Sequence, residues 1–167
     1  MRVDVLAPIT EGQRIAKSVE LSVFVHATES EEKVKTAVIK LLPPTFGDVT
    51  IDSVRLTGHY DDPITVLTLK IQRRKEATEF LDSLYAKLSS LDRESLASET
   101  ENRVDTSGNL YIRLDKQRAY IGGAVMQEND PIRVKVKLQV PHGADPAKAL
   151  QRHLEELSEA EAGESKP

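Results

Sequence analysis

The sequence predicts an α+β fold, a mostly antiparallel curved sheet of about five strands with helices packed on one face. Several short segments alternate apolar and polar residues, as strands do when one face is buried and the other is open. Between them, apolar residues recur at helical spacing. A segment rich in turn residues separates two of the predicted strands and indicates a hairpin, which requires antiparallel pairing.

The first strand and the first helix follow from the segment that begins at Lys17. Apolar residues alternate with polar ones over Val19–Val25, so this segment predicts a strand with one buried face. Residues 28–31 read Thr-Glu-Ser-Glu, a capping box that predicts a helix with Thr28 as its N-cap. The Pro43–Pro44 pair ends that helix.

The next two strands form the predicted hairpin. Residues 49–60 predict a strand with a bulge or a register change near Asp52 and Ser53, where the phase of the apolar residues shifts. The returning strand lies at 64–72. Beyond it, residues 77–91 predict a long amphipathic helix, and residues 92–104 predict a shorter helix or a continuation after a bend.

A strand, a basic turn and a final strand complete the predicted sheet. Apolar and polar residues alternate over Leu110–Leu114, and the alternation stops after Asp115. Gly122 and Gly123 then favour a turn, because glycine tolerates backbone angles that other residues avoid. The sharpest alternation of the chain, at 132–140, predicts the last strand.

These elements divide the chain into one main domain and two ends. Residues 17–140 form the predicted α+β domain, and residues 1–16 lack a stable period and predict a loosely attached arm. Residues 141–167 predict a C-terminal helix and a charged tail. Asp145 followed by proline resembles a helix start, and the acidic residues from Glu159 onward predict a disordered end.

Composition excludes several classes of protein. The chain is 39% hydrophobic and 30% charged, which fits a globular domain and not a wholly disordered chain. It has neither a signal-peptide core nor an apolar run of the roughly 20 residues that cross a bilayer, so we expect a cytoplasmic protein without membrane association. It lacks cysteine, and its histidines show no ligand spacing, so we expect no metal and no cofactor.

The formal net charge of −4 is unevenly distributed. From Asp145 onward, six acids and three bases contribute −3 of that total, which leaves −1 for residues 1–144. A nearly neutral body can carry a local basic face, because affinity for phosphate depends on clustered cations.

Three basic clusters are the candidate RNA-binding sites. One surrounds the turn after Leu114 and includes two aromatic rings, one occupies the polar face of the last strand, and one follows the hairpin. Cations contact phosphates, and rings stack on bases. The predicted RNA-binding residues are Tyr111, Arg113, Lys116, Arg118 and Tyr120, then Arg133, Lys135 and Lys137, then Arg73, Arg74 and Lys75.

Each cluster also has a purely structural interpretation. Strands place polar residues outside whether or not they bind a ligand, and lysine on an exposed strand prevents edge-to-edge aggregation. Asp115 can pair with a nearby arginine in an exposed contact worth about 0–1 kcal/mol. Tyrosine beside a sheet is often half-buried packing, and Phe24, on the polar side of the first strand, can lie under a helix or a partner subunit.

Several segments in order resemble one family, the archaeal proteins described as predicted exosome subunits or RNA-binding proteins. The resemblance runs from about Val19 to Val140. It rests on residues 26–29 with Lys33 and Val34, Gly58-His59-Tyr60 with Pro63 and Ile64, residues 73–75, and above all residues 108–117 with Ala119 and Gly122. It implies a domain similar to the large-subunit ribosomal protein that binds 5S rRNA. The family's usual turn reads Gly-His-Tyr-Gly-Asn-Pro; here Asp61 and Asp62 add two negative charges.

We therefore expect a non-catalytic RNA-binding protein linked to RNA processing through the exosome, or to ribosomes. It would bind structured or double-stranded RNA by shape and backbone charge, with exosome or ribosomal proteins as candidate partners. The alternative is an interaction or assembly subunit that docks through a sheet edge or the C-terminal helix, with a homodimer as one form. Catalysis has less support. His59 beside Asp61 is one acid/base candidate, but the chain has no nucleophile elbow, phosphate-binding loop or Asp-x-Asp pair.

Overall fold

The computed structural model describes residues 14–58 and 62–165, without the side chains of 163–165. Its strands are β1 (Ala16–His26), β2 (Ile51–Thr57), β3 (Pro63–Ile71), β4 (Asn109–Leu114) and β5 (Ile132–Leu138). Its helices are α1 (Glu31–Lys40), α2 (Arg74–Lys87), α3 (Ser90–Ser98), α4 (Thr100–Arg103), α5 (Lys116–Tyr120) and α6 (Pro146–Ser165). Residues 1–13 of the predicted arm and residues 59–61 of the predicted turn, including Asp61, lie outside this description.

The five strands form one open sheet in the order β2-β3-β1-β5-β4, and every neighbouring pair is antiparallel. The predicted fold class is therefore confirmed. β1 lies at the centre, between β3 and β5, while β2 and β4 are the edge strands.

The two faces of the sheet differ in burial. On one face, β1, β3, β4 and β5 contribute apolar side chains to the core, beneath helices that include α1 and α2. We call the opposite side the open face. It carries Ser18, Glu20, Ser22, Phe24 and His26 of β1, Asp52, Val54 and Leu56 of β2, Ile64, Val66, Thr68 and Lys70 of β3, Asn109, Tyr111 and Arg113 of β4, and Arg133, Lys135 and Lys137 of β5.

The start of α1 differs from the prediction. The N-cap is Ser30, whose hydroxyl accepts from the Lys33 amide at 3.3 Å, and not Thr28. The helix begins two residues later than the capping box predicts. The Glu29 carboxylate instead accepts from the His26 amide at 3.0 Å, which closes the turn after β1.

β2 has no bulge. Its register with β3 is continuous from Ile51 to Thr57, so the bulge predicted near Asp52 is wrong. The apolar phase shifts because Ile51 faces the helices, whereas Val54 and Leu56 stand on the open face, 55% and 50% exposed. When an apolar residue stands at a solvent-facing position of a strand, the sequence pattern looks the same as it would after a change of register.

The remaining helices refine the predicted elements. The segment predicted as one helix at 92–104 contains most of α3, which begins at Ser90, and all of α4; Glu99 separates the two helices. The segment after Asp115, predicted as a turn, is the short helix α5, because the Asp115 carboxylate accepts from the Arg118 amide at 3.1 Å and caps it. α6 continues through most of the tail predicted as disordered. None of the described helices is long and apolar enough to cross a membrane.

Candidate nucleic-acid interface

The pairing of β4 with β5 brings basic residues side by side on the open face. Arg113 lies directly opposite Arg133, and Tyr111 lies opposite Lys135. Lys137 stands one row further along the same strand. Like charges placed opposite each other destabilise a sheet, so the arginine pair favours an anion between or above the two guanidinium groups.

Among the strand residues of the open face, cations outnumber carboxylates, although the chain as a whole carries a negative formal charge. Five lysines and arginines stand on it against two carboxylates, in a chain whose formal net charge is −4. The cations are Lys70, Arg113, Arg133, Lys135 and Lys137, and the carboxylates are Glu20 and Asp52. Clustered cations of this kind attract phosphate.

The cations of β4 and β5 are held to different degrees. Arg113 Nη1 lies 2.9 Å from Glu128 Oε2, with both side chains more than half exposed, so this contact is weak and can yield to another anion. Lys137 donates to the Ser107 carbonyl at 2.9 Å. Lys135 is exposed, and its side chain makes no hydrogen bond or ion pair within residues 14–58 and 62–165.

Phe24 adds a flat apolar surface that the predicted site residues did not include. Phe24 is 36% exposed on the open face, and the Arg133 guanidinium carbon lies 4.6 Å from the centroid of its ring. This cation–π contact orients the arginine over the ring. The signal was present in the sequence, since a phenylalanine at a polar-face position of a strand is exposed to whatever that face binds.

Tyr111 is fixed by its hydroxyl. The hydroxyl donates to Asp105 Oδ2 at 2.9 Å, while the ring remains 42% exposed. Asp105 is itself held by the backbone amides of Asn109 and Ser107, and mainly the Asn109 amide lowers its pKa to about 2. The hydrogen bond to Asp105 in turn raises the pKa of Tyr111. The phenol ring is therefore neutral and oriented before any ligand arrives.

A shallow cavity of about 130 Å³ lies among these groups on the open face. Tyr111, Arg113, Arg133 and Lys135 supply a ring and three cations, while Glu20 and Ser22 supply hydrogen-bonding groups from β1. Its lining residues are Glu20, Ser22, Tyr111, Ile112, Arg113, Arg133, Val134 and Lys135.

Lys116 is not on this surface. It is only 9% exposed, and its ammonium group donates to the Phe24 carbonyl at 2.7 Å and lies 3.0 Å from Glu29 Oε1 and 2.9 Å from Asp130 Oδ2. A buried cation whose donors are satisfied inside the protein is unsuited to phosphate binding. The geometry therefore argues against phosphate binding by Lys116, which ties α5 to the end of β1.

The same cluster brings together three side chains that could ligate a metal. One ligand atom from each of His26, Glu29 and Asp130 lies within 4.8 Å of the others. Lys116 supplies the positive charge between the two carboxylates. Burial by itself would raise the pKa of Asp130, but hydrogen bonds from Lys116 and His26 outweigh it and lower that pKa overall.

Arg118 and Tyr120 lie on α5, away from the open face. α5 packs beside α1, where the Lys40 ammonium donates to the Tyr120 carbonyl at 2.8 Å and lies 5.4 Å from the centroid of its ring. The basic segment around the turn is thus split. Tyr111 and Arg113 belong to the sheet, whereas Arg118 and Tyr120 form a separate surface on the helical side.

The third basic cluster extends one end of the sheet. Arg73 is the N-cap of α2, and Arg74 and Lys75 begin that helix; all three are exposed. Ile71, just before them, pairs with Val19, at the end of β1 that also pairs with the β5 segment carrying Lys137. The cluster therefore lies where the chain crosses from the sheet to the helices, near the Lys137 end of the open face.

Comparison with known proteins assigns the chain to a family. The model of a family described as RNA binding matches residues 18–138, which is most of the chain and all five strands except the first residues of β1. The chain belongs to this RNA-binding family. The resemblance found in the sequence is confirmed at this level.

Two similar proteins come from archaea. The RNA-binding protein PAB1135 of Pyrococcus abyssi is 34% identical over 149 residues, which cover 86% of this chain and 97% of the relative. An uncharacterized protein of Methanocaldococcus jannaschii, MJ0213, is 30% identical over 119 residues, or 69% of this chain and 78% of the relative.

Solved structures share the fold. Protein AF2318 of Archaeoglobus fulgidus has a TM-score of 0.70 and 31% identity, and the match covers 85% of this chain and 99% of that one. Protein SSO0741 of Sulfolobus solfataricus, at 20% identity and a TM-score of 0.71, covers 86% of this chain and 98% of its own, and shows the fold alone.

Proposed function

We propose that this protein is a non-catalytic RNA-binding protein that holds the phosphate backbone on its open face. The observation that carries the proposal is the concentration of five cations against two carboxylates on that face, in a chain with an overall negative charge. Sequence-independent affinity for nucleic acid comes mainly from such clusters. Membership of an RNA-binding family supports RNA as the ligand.

The proposed contact residues are a subset of those predicted from the sequence. Arg113, Arg133, Lys135 and Lys137 provide the phosphate contacts, and Tyr111 provides a ring. The exposed cluster Arg73, Arg74 and Lys75 extends the surface at one end. Arg118 and Tyr120 fall outside the surface, and Lys116 acts inside the protein.

The biological setting proposed from the sequence is RNA processing with the exosome, or the ribosome, in the cytoplasm. The proposed likeness to the ribosomal protein that binds 5S rRNA agrees with that setting. Exosome and ribosomal proteins remain the proposed protein partners.

A double charge reversal tests the open face. We expect Arg133→Glu/Lys135→Glu to weaken binding of labelled RNA at low salt and to reduce the slope of log affinity against log salt by about 2, because each phosphate contact contributes about one unit. The matched control is Arg118→Glu/Lys33→Glu, the same charge change on exposed residues of α5 and α1. Fluorescence anisotropy at several salt concentrations measures both.

Two outcomes would contradict the proposal. One is an absence of RNA binding by folded wild-type protein at low salt. The other is an equal loss for both double variants, which would mean that net charge and not the open face governs binding.

A docking function is the second candidate, and the edge strand β2 favours it. Among the residues that the structure describes, β2 pairs only with β3, so one side of its backbone offers hydrogen bonds to another strand, beside the exposed side chains of Val54 and Leu56. A protein partner, including a second copy of this chain or a partner of α6, becomes the favoured ligand if RNA does not bind.

A further inference from the structure

We propose that the open face binds unpaired nucleotides, with one base in the cavity between Tyr111 and Arg133 and another stacked against Phe24 and Arg133. This inference rests on the proposed RNA-binding function and names the form of RNA that the face takes. It departs from the expectation of structured or double-stranded RNA that the sequence alone supported.

A line of flat groups crosses the sheet. The guanidinium carbon of Arg133 lies 4.6 Å from the centroid of the Phe24 ring. Tyr111 is a diagonal neighbour of Arg133 across the β4–β5 pair, a relation in which the backbones of two residues are typically roughly 7–8 Å apart. Phe24, Arg133 and Tyr111 thus form a diagonal of three planar groups. Bases in a duplex are stacked on one another and hide their faces, so rings and guanidinium planes stack only on bases that are unpaired.

The planar groups are held in place before binding. The hydroxyl of Tyr111 is fixed by Asp105 at 2.9 Å, and the guanidinium of Arg133 is fixed by the ring of Phe24. A binding surface that is already ordered loses less conformational entropy when its ligand arrives.

The cavity on the open face has room for more than a water molecule. A volume of about 130 Å³ exceeds the space of one water molecule, about 30 Å³, and its lining combines a ring with three cations at the rim. A base enters such a shallow cavity from solvent while its phosphates stay near Arg113 and Lys135.

Glu20 places a carboxylate in a surface that otherwise attracts phosphate. Lys70 and Lys135 lie opposite it on the neighbouring strands, yet Glu20 makes no ion pair or hydrogen bond through its side chain within the described part of the chain. Its carboxylate lines the cavity and accepts hydrogen bonds without donating any. Carboxylates recognise the amino group of cytosine, whereas uracil presents a carbonyl oxygen at the same position. We therefore infer a preference for cytosine over uracil.

Oligonucleotides that differ only in their bases test the inference. The probes are labelled 12-nucleotide strands of cytidine, of uridine and of abasic ribose phosphate, together with a 12-base-pair RNA hairpin. We expect wild type to bind oligo(C) roughly 5- to 150-fold more tightly than the abasic strand, the effect of stacking one base on a side chain. We expect oligo(C) to bind more tightly than both oligo(U) and the hairpin.

Variants of the rings and of Glu20 locate the effect. Phe24→Leu/Tyr111→Leu should lower the affinity for oligo(C) to near the affinity for the abasic strand. The affinity for the abasic strand itself should not change. Tyr111→Phe keeps the ring but loses the hydroxyl that Asp105 holds, so it should retain most of the binding and lose much less affinity than the double variant. Glu20→Gln should remove the preference for oligo(C) over oligo(U), since an amide both donates and accepts. Thermal unfolding of each variant checks that its fold is intact.

Failure of this inference is distinguishable from failure of the proposed function. Equal or tighter binding of the hairpin, or full oligo(C) binding by the Phe24/Tyr111 double variant, overturns the proposal of unpaired nucleotides. If Arg133→Glu/Lys135→Glu still weakens binding in that case, the RNA-binding function stands. Equal affinity of wild type for oligo(C) and oligo(U) overturns the role of Glu20. Absence of binding to every probe overturns both proposals.

Discussion

Lys135 and Lys116 carry the same ammonium group in opposite surroundings. Lys135 stands exposed on the open face and has no partner within the described chain, whereas Lys116 is buried between the Phe24 carbonyl, Glu29 and Asp130. The first is available to a ligand, and the second stabilises the junction of β1, α5 and the segment before β5. The comparison teaches that a basic residue in a motif is suited to bind a ligand only if the fold leaves its charge exposed and able to exchange partners.

The largest expected effect comes from comparing two single variants, in which methionine replaces either Lys116 or Lys135. Lys116→Met should lower the free energy of unfolding by about 2–4 kcal/mol, because it leaves two carboxylates without their cation; the partial exposure of Asp130 moves the effect toward the lower value. Lys135→Met should change stability by no more than about 0.5 kcal/mol and should weaken RNA binding. Urea unfolding and anisotropy measure the two effects.

The comparison breaks if the two variants lose similar stability. It also breaks if Lys116→Met, measured where it is fully folded, loses as much RNA affinity as Lys135→Met.

A smaller effect should follow from releasing Arg113. Glu128→Gln removes the carboxylate that lies 2.9 Å from the Arg113 guanidinium and should raise RNA affinity up to about 5-fold, with little change in stability, because an exposed pair contributes about 0–1 kcal/mol. Glu31→Gln is the matched control, since Glu31 pairs with Lys35 on α1, away from the open face. Anisotropy at fixed salt compares them, and an equal gain in both variants would mean that only net charge had changed.

The smallest effect concerns Asp105, which orients Tyr111. Its pKa is lowered to about 2 in the folded protein, mainly by the Asn109 amide, so its stabilising contribution is present above about pH 4 and is lost as the pH falls toward 2. Asp105→Asn should therefore be less stable than wild type at pH 6, and the difference should shrink at pH 3. Urea midpoints at both values test this, and a difference that grows on acidification would contradict it.

The strands were predictable because their periodicity is local. β1, β4 and β5 each alternate apolar and polar residues, so the buried faces and the outward position of Arg113, Arg133, Lys135 and Lys137 followed from the sequence alone. The opposition of Arg113 and Arg133 did not, because it depends on the register between two strands.

The surroundings of Lys116 were not predictable from its own segment. Its partners, Glu29 and Asp130, come from distant turns, and the five residues of α5 show no apolar pattern that marks the lysine as buried. Asp115 was recognised as a possible ion-pair partner, whereas in the fold it caps α5. Short polar segments of this kind take their structure from tertiary contacts, which local pattern does not record.

The place of β1 in the sheet also sets the order in which the protein can fold. β1 is the first of the described strands and pairs with β5, the last of them, so Val19 finds Val136 only after the intervening chain has been made. Contacts so distant in sequence close slowly, and a chain emerging from the ribosome holds β1 with one edge unpaired until β5 appears. The β4–β5 half of the open face therefore forms late in synthesis, and a nascent chain cut before Ile132 lacks the strand that carries Arg133, Lys135 and Lys137.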